Sequence, residues 1–245
     1  MKFAVQLYNF RKELAEDFVG TLRRIAALGY DGVEIAGDRG PLPPYGLAVL
    51  LRETGLACAG FMFEPEELLD PDNIAYEYAE AVHTPAVTIS VLTDFTREWR
   101  RVADLCARIG QAAARHGLVM SYHTHWAECA PVEGVPALFR ILDATDPAQV
   151  FLEPDICWLT RGKLDPAAVI RKYDSRITQV HLKDILVPDE VETTTELGKG
   201  VINLRGSLAA AREIGAKWLI YEQDCCDDPF RSAAESLEYL KRQVL

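Results

Sequence analysis

Four short segments end on residues that can bind a metal or move a proton. "YHTHWAE" carries His123, His125 and Glu128, "FLEPD" carries Glu153 and Asp155, "VHLKD" carries His181 and Lys183, and "YEQD" carries Glu222. Each follows a short apolar run of strand character, and side chains alternate across a strand. In "ITQVHLKD" that gives Val180 and Leu182 one face and Gln179, His181 and Lys183 the other. The same alternation separates Glu153 and Asp155 from Val150, Leu152 and Pro154, groups Glu222 with Trp218 and Ile220, and sets Glu34 of "GVEIA" opposite Val33 and Ile35. The chemical groups therefore share one side of their strands, in the last strand together with Trp218 and Ile220.

Glu128, Asp155, His181 and Glu222 are expected to converge on one rim. Carboxylates crowded in a low-dielectric cleft repel and take up protons unless a cation compensates them. A divalent ion resolves that conflict. Three carboxylates and one imidazole make a mainly hard, oxygen-rich set suited to Mn2+, Mg2+ or Co2+ and tolerated by Zn2+.

The elements that must position these groups recur regularly. Eight strand-like runs begin at residues 3, 31, 57, 86, 118, 149, 177 and 217, and amphipathic stretches of helical period such as "TREWRRVADLCARIGQAAARHG" lie between them. No linker or low-complexity tract divides the chain. The pattern predicts an α/β fold made of a single (β/α)8 TIM barrel over residues 1–245, whose active site forms at the carboxyl ends of the strands. An open doubly wound sheet fits less well, because "QLYNFRKELAED" has no glycine-rich turn after the first strand.

Composition narrows the function classes. A net charge of −11 gives no basic face for nucleic acid, and nowhere do 18 apolar residues run together, so neither a nucleic-acid nor a membrane partner is expected. Six cysteines without a CxxC pair and no signal-like N-terminus point to reduced thiols and a cytoplasmic protein. Homo-oligomerisation is left open.

In this order and spacing, "LGYDGVEIAG", "YHTHWAE", "DICWLTRG", "RITQVHLKD" and "YEQD" resemble the sugar phosphate isomerase/epimerase superfamily, the xylose isomerase-like TIM barrels that include ketose 3-epimerases, inosose dehydratases and isomerases, and endonuclease IV. The resemblance covers essentially the whole chain. It implies one divalent metal on Glu128, Asp155, His181 and Glu222, with Glu128 and Glu222 also serving as acid and base. It further implies that His125 and Lys183 bind substrate or transfer protons. Glu34, His123, Glu153 and Trp158 are expected to line the pocket, and Lys199 or Arg205, in the long connection after "HLKD", to meet an anionic group on the substrate.

The expected activity is isomerisation or epimerisation of a small sugar, cyclitol or polyol by proton abstraction next to a carbonyl, through a metal-stabilised enediolate. Dehydration of an inosose or similar β-hydroxy ketone is the alternative, since it begins with the same abstraction and adds an acid, Lys183, for the leaving hydroxide. An endonuclease IV-like nuclease fits poorly with five histidines in all. A non-catalytic barrel fits poorly with an intact ligand set.

Overall fold

The computed structural model describes residues 1–37 and 39–244. Eight parallel strands form the barrel: β1 (Lys2–Gln6), β2 (Gly32–Ala36), β3 (Ala57–Met62), β4 (Ala86–Ile89), β5 (Val119–His123), β6 (Val150–Glu153), β7 (Gln179–Leu182) and β8 (Trp218–Tyr221). The main covering helices are α1 (Phe18–Leu28), α2 (Pro44–Thr54), α3 (Ile74–Ala81), α4 (Phe95–Arg115), α5 (Ala137–Asp143), α6 (Pro166–Lys172), α7 (Leu204–Glu213) and α8 (Pro229–Val244), with shorter helices Arg11–Glu16, Pro65–Leu69 and Ile156–Arg161 in the connections after β1, β3 and β6. Hydrogen-bonded neighbours run from β6 through β5, β4, β3, β2, β1 and β8 to β7. The seam between β6 and β7 is nearly closed by one bridge, Asp155 with His181, where the His181 N–H donates to the Pro154 carbonyl at 3.0 Å. Two of the chemical residues thus sit where the barrel shuts.

Local signals explain the helices. Asp17 caps α1 by accepting from the Gly20 N–H, and the helix stops at Gly29, whose φ of 92° costs a glycine little. In α4 the buried residues Val102, Cys106, Ile109 and Ala113 recur at helical spacing and face the strands, with Asp94 as the cap. Val180 and Leu182 of β7 point into this strand–helix layer and are fully buried. Burial of that kind stabilises by roughly 1.5–3 kcal/mol per side chain. Among the described residues no helix is long and apolar enough to cross a membrane.

Inside the barrel the side chains are layered. Ala4, Ala59, Trp218 and Ile220 form a small apolar cluster separate from the main core. Along the strands toward their carboxyl ends come Gln6, Glu34, Glu153 and Gln179, all buried, and then His123, His181 and Glu222. The crowding of the middle layer shows at Gly60: a Cβ there would lie 2.1 Å from Glu34 Oε1 and 2.7 Å from Gln179 Nε2. Only glycine lets β3 pass this close, and the β2–β3 register shifts at the same point, between Val33 and Glu34.

The long connection after β7 is tied down. Asp184 is fully buried and accepts from the backbone N–H groups of Gly198 (3.0 Å), Gly200 (2.9 Å) and Ile202 (3.1 Å). Asp184–Ile185 also pairs with Thr194–Thr195 as a short antiparallel ladder. The strand read as "ITQVHLKD" therefore ends at Leu182, and its final aspartate anchors the loop.

Candidate active site

Alternation delivers β5 to β8 with their polar faces together. Ligand atoms of His123, Asp155, His181 and Glu222, all buried, lie within 4.8 Å of one another. Asp155, His181 and Glu222 of the expected ligand set lie in this group, together with His123 from inside β5, and Glu128 lies outside it. Glu128 follows β5 in the tight turn Ala127–Cys129, and its Oε1 accepts the His125 N–H at 2.6 Å. That bond turns the carboxylate toward its own loop, and burial pushes its pKa up to about 7.

Behind the two histidines stand two more carboxylates. His181 Nε2 lies 2.6 Å from Glu34 Oε2, and His123 Nδ1 lies 3.1 Å from Glu153 Oε2. Gln6 donates to Glu34 at 2.6 Å, and Gln179 bonds to both Glu34 and Glu153. Glu34 and Glu153, expected to line the substrate pocket, are fully buried and orient the histidines instead. Burial, and then the neighbouring Glu153, raises the Glu34 pKa well above the usual carboxylate range. Burial works against the charge on Glu153 too, but His181 and His123 outweigh it and bring that carboxylate down to about 2. Burial also opposes protonation of His181, yet Glu34 and Glu153 hold its pKa well above the usual range.

The rear hydrogen bonds leave one nitrogen on each ring for the centre: Nδ1 of His181, which is 2.9 Å from Glu222 Oε2, and Nε2 of His123. Asp155 uses Oδ1 to cap the helix Ile156–Arg161, accepting from Cys157 at 2.8 Å and Trp158 at 3.1 Å. Its Oδ2 is buried and has no hydrogen-bond donor. That buried oxygen faces the Lys183 ammonium at 3.3 Å and stands beside three other converging ligand atoms, a setting that fits a cation. Two imidazoles and two carboxylates form a more nitrogen-rich set than three carboxylates and one imidazole, which favours Mn2+, Co2+ or Zn2+ over Mg2+.

Lys183 is the second centre of charge. Its Nζ lies 3.3 Å from Asp155 Oδ2, 3.2 Å from Glu222 Oε2 and 2.9 Å from Asp224 Oδ2, and 4.4 Å from the centre of the Trp158 ring. Burial opposes its charge, but Glu222, Asp155 and Asp224 together push its pKa well above the ordinary value. Asp224, two residues beyond Glu222 on the same alternating face, is a site residue the sequence reading passed over.

A cavity of about 230 Å3 opens onto this cluster, lined by Gln6, Tyr8, His123, His125, Glu222 and Asp224 among others. His125 is held neutral, its pKa pushed down to about 3 chiefly by burial and then by His123, and its Nδ1 has no partner. Trp158 is buried beside His125 with ring centres 6.0 Å apart, so it supports the cavity wall from behind. Lys199 is half exposed and paired with Glu235 at 2.5 Å and Glu196 at 3.2 Å, so its charge is already committed within the loop.

The fold and sequence have counterparts among known proteins. Inosose dehydratase from Klebsiella pneumoniae is 28% identical over 166 residues, which cover 59% of this chain and 54% of that protein. Inosose dehydratase from Bacillus anthracis is 36% identical over 88 residues, 36% of this chain and 29% of that protein. The chain thus spans about half the length, or less, of these curated relatives. A sugar phosphate isomerase/epimerase from Parabacteroides distasonis superposes with a TM-score of 0.82 at 21% identity, covering 98% of this chain and 93% of that one, a likeness of fold. The xylose isomerase-like TIM barrel family matches residues 22–243, and the chain belongs to that family.

Proposed function

We propose that this protein is a divalent-metal-dependent dehydratase of a cyclic or open-chain polyol ketone. One observation carries the reading: Glu222 has an ammonium, Lys183, at 3.2 Å, whereas Glu128 bonds to its own loop. Epimerisation by two glutamates needs a carboxylate on each face of the substrate. A base and a cationic acid side by side suit elimination of water from a β-hydroxy ketone.

The metal would be held by His123, Asp155, His181 and Glu222. When bound, it would supply Lewis acidity toward the ketone oxygen, lowering the cost of removing the neighbouring carbon-bound proton. Glu222 takes that proton, and Lys183 donates one to the departing hydroxyl, which leaves as water. The C–H and C–O bonds break, a C=C bond forms, and the 3.2 Å contact lets Glu222 return the proton to Lys183. Asp224 holds the ammonium in place, and Asp155 and Glu222 balance its charge. The inosose dehydratases among the relatives support a cyclitol ketone as substrate class.

A second reading, isomerisation or epimerisation, draws support from His125. It is neutral, lines the cavity and has an unpartnered Nδ1, so it could act as a second base. Turnover of inososes and keto-sugars by Mn2+- or Co2+-loaded protein in D2O separates the two. Dehydration yields a product lighter by one water; epimerisation keeps the formula and incorporates deuterium. Absence of both water loss and exchange at carbon, across these substrates, would sink proton-abstraction chemistry altogether.

A further inference from the structure

The ligand cluster occupies only the β5–β8 half of the barrel mouth. Its cavity, about 230 Å3, is below the roughly 300–1,000 Å3 of ordinary small-molecule sites. Over the β1–β4 half lies a second cavity of about 660 Å3. The two share Tyr8, Ala36, Met62 and Ser90 along their walls, so they adjoin at the barrel mouth. Resting on the proposed chemistry, we infer that the second chamber takes an uncharged sugar or polyol unit attached to the reacting ring, making the natural substrate a glycoside-sized ketone.

The lining supports that class. Tyr8 is a large ring left 43% exposed at the junction of the two chambers, a surface suited to the apolar face of a sugar. At the far end Arg39 and Glu67 pair, offering a guanidinium fork and a carboxylate side by side to neighbouring hydroxyls. The pair is built in: Glu67 Oε2 accepts the Glu64 N–H at 3.2 Å in a capping box, and the Arg39 guanidinium lies 5.6 Å from the Phe63 ring centre and 5.3 Å from that of Tyr78. Among the described lining residues the charged groups are Arg39, Glu64 and Glu67, so the chamber carries one excess negative charge. That sign disfavours a phosphate ester and favours a neutral polyhydroxy unit.

Three non-reacting probes of one ring test this: myo-inositol, its α-galactoside and its monophosphate, titrated calorimetrically into Mn2+-loaded protein, with glucose and maltose as a pyranose pair. The expected result is at least tenfold tighter binding of a glycoside than of its parent ring, and no gain from the phosphate. Glu67→Gln keeps the cap, since glutamine also serves at that position, and removes the carboxylate. Together with Arg39→Met it should cut the glycoside advantage below threefold while leaving binding of the parent ring unchanged. Equal affinities in both pairs, a preference for the monophosphate, or an equal loss for all probes in the variants would overturn the inference. If the glycoside preference is present and lost in the variants while no ketone is turned over, the second chamber stands and the dehydratase reading falls.

Discussion

Glu128→Gln probes most directly whether this residue is a loop anchor or a metal ligand. Glutamine can still accept the His125 N–H, so the loop contact survives while the titration is removed. Burial raises the carboxyl from the ordinary 4.5 to about 7. With the folded pKa above the unfolded one, the folded state holds the extra proton between those values. The resulting stabilisation is complete below about pH 4.5 and is lost as pH rises through about 7. At about 1.4 kcal/mol per pH unit the loss amounts to roughly 3 kcal/mol.

Urea unfolding of chelator-treated protein from pH 4 to pH 8 reads this out. Wild type should lose about 3 kcal/mol more than Glu128→Gln across that range. A packing cost of the amide itself would shift the variant's curve by a constant and leave the difference in slope intact. Mn2+ content should be equal in the two proteins. Parallel pH profiles would refute the burial-raised carboxyl, and loss of Mn2+ from Glu128→Gln would refute the loop-anchor role, because a metal ligand does not tolerate that substitution.

Other outcomes follow from the same geometry. His123→Ala should reduce bound metal from near-stoichiometric to trace on elemental analysis, since it removes one of four converging donors. Glu34→Gln and Glu153→Gln, each taking the carboxylate from behind a ligand histidine, should weaken metal affinity by roughly 10–100-fold in competition with a chromophoric chelator. Lys183→Met should lower dehydration by roughly 10²–10⁴-fold, while metal binding holds or tightens because a competing cation has gone. Arg176 is buried and donates to the Val150 and Leu142 carbonyls and Thr145 Oγ1. Arg176→Met leaves these acceptors orphaned and should cost roughly 3 kcal/mol or more in thermal unfolding.

The barrel was legible because its period is simple: all eight apolar runs became strands, and the 40-residue step before the last became the loop anchored by Asp184. Asp155, His181, Lys183 and Glu222 were legible because alternation fixes which face each side chain takes. Alternation does not fix depth. Glu34 and Glu153 face inward as expected, but one residue's rise along a tilted strand separates a group that reaches the cavity from one that sits behind a histidine. Glu128 lay beyond the strand, in a tight turn where no period applies, so its direction was set by a backbone bond invisible in the sequence. Asp224 did carry a signal: it continues the face of Glu222 in "YEQD". Lys199 read as a free cation only because its partners, Glu196 and Glu235, come from the same loop and from α8.

The layering inside the barrel explains how so much charge is tolerated in one core. Glu34 and Glu153 are linked through Gln179; burial works against charge on both, and it is His181 and His123 that bring Glu153 down while Glu34 stays raised. The Glu153 carboxylate faces His123 and His181, which are thereby fixed in ring orientation before any ligand arrives. Above them Lys183 balances Asp155, Glu222 and Asp224 in the way a divalent cation would, and a metal entering at Asp155 Oδ2 would share carboxylates with the ammonium. Metal and lysine would then compete electrostatically for one acidic set. Under the proposed function a bound metal would make Lys183 a better proton donor, coupling the acid of the proposed water loss to the ion.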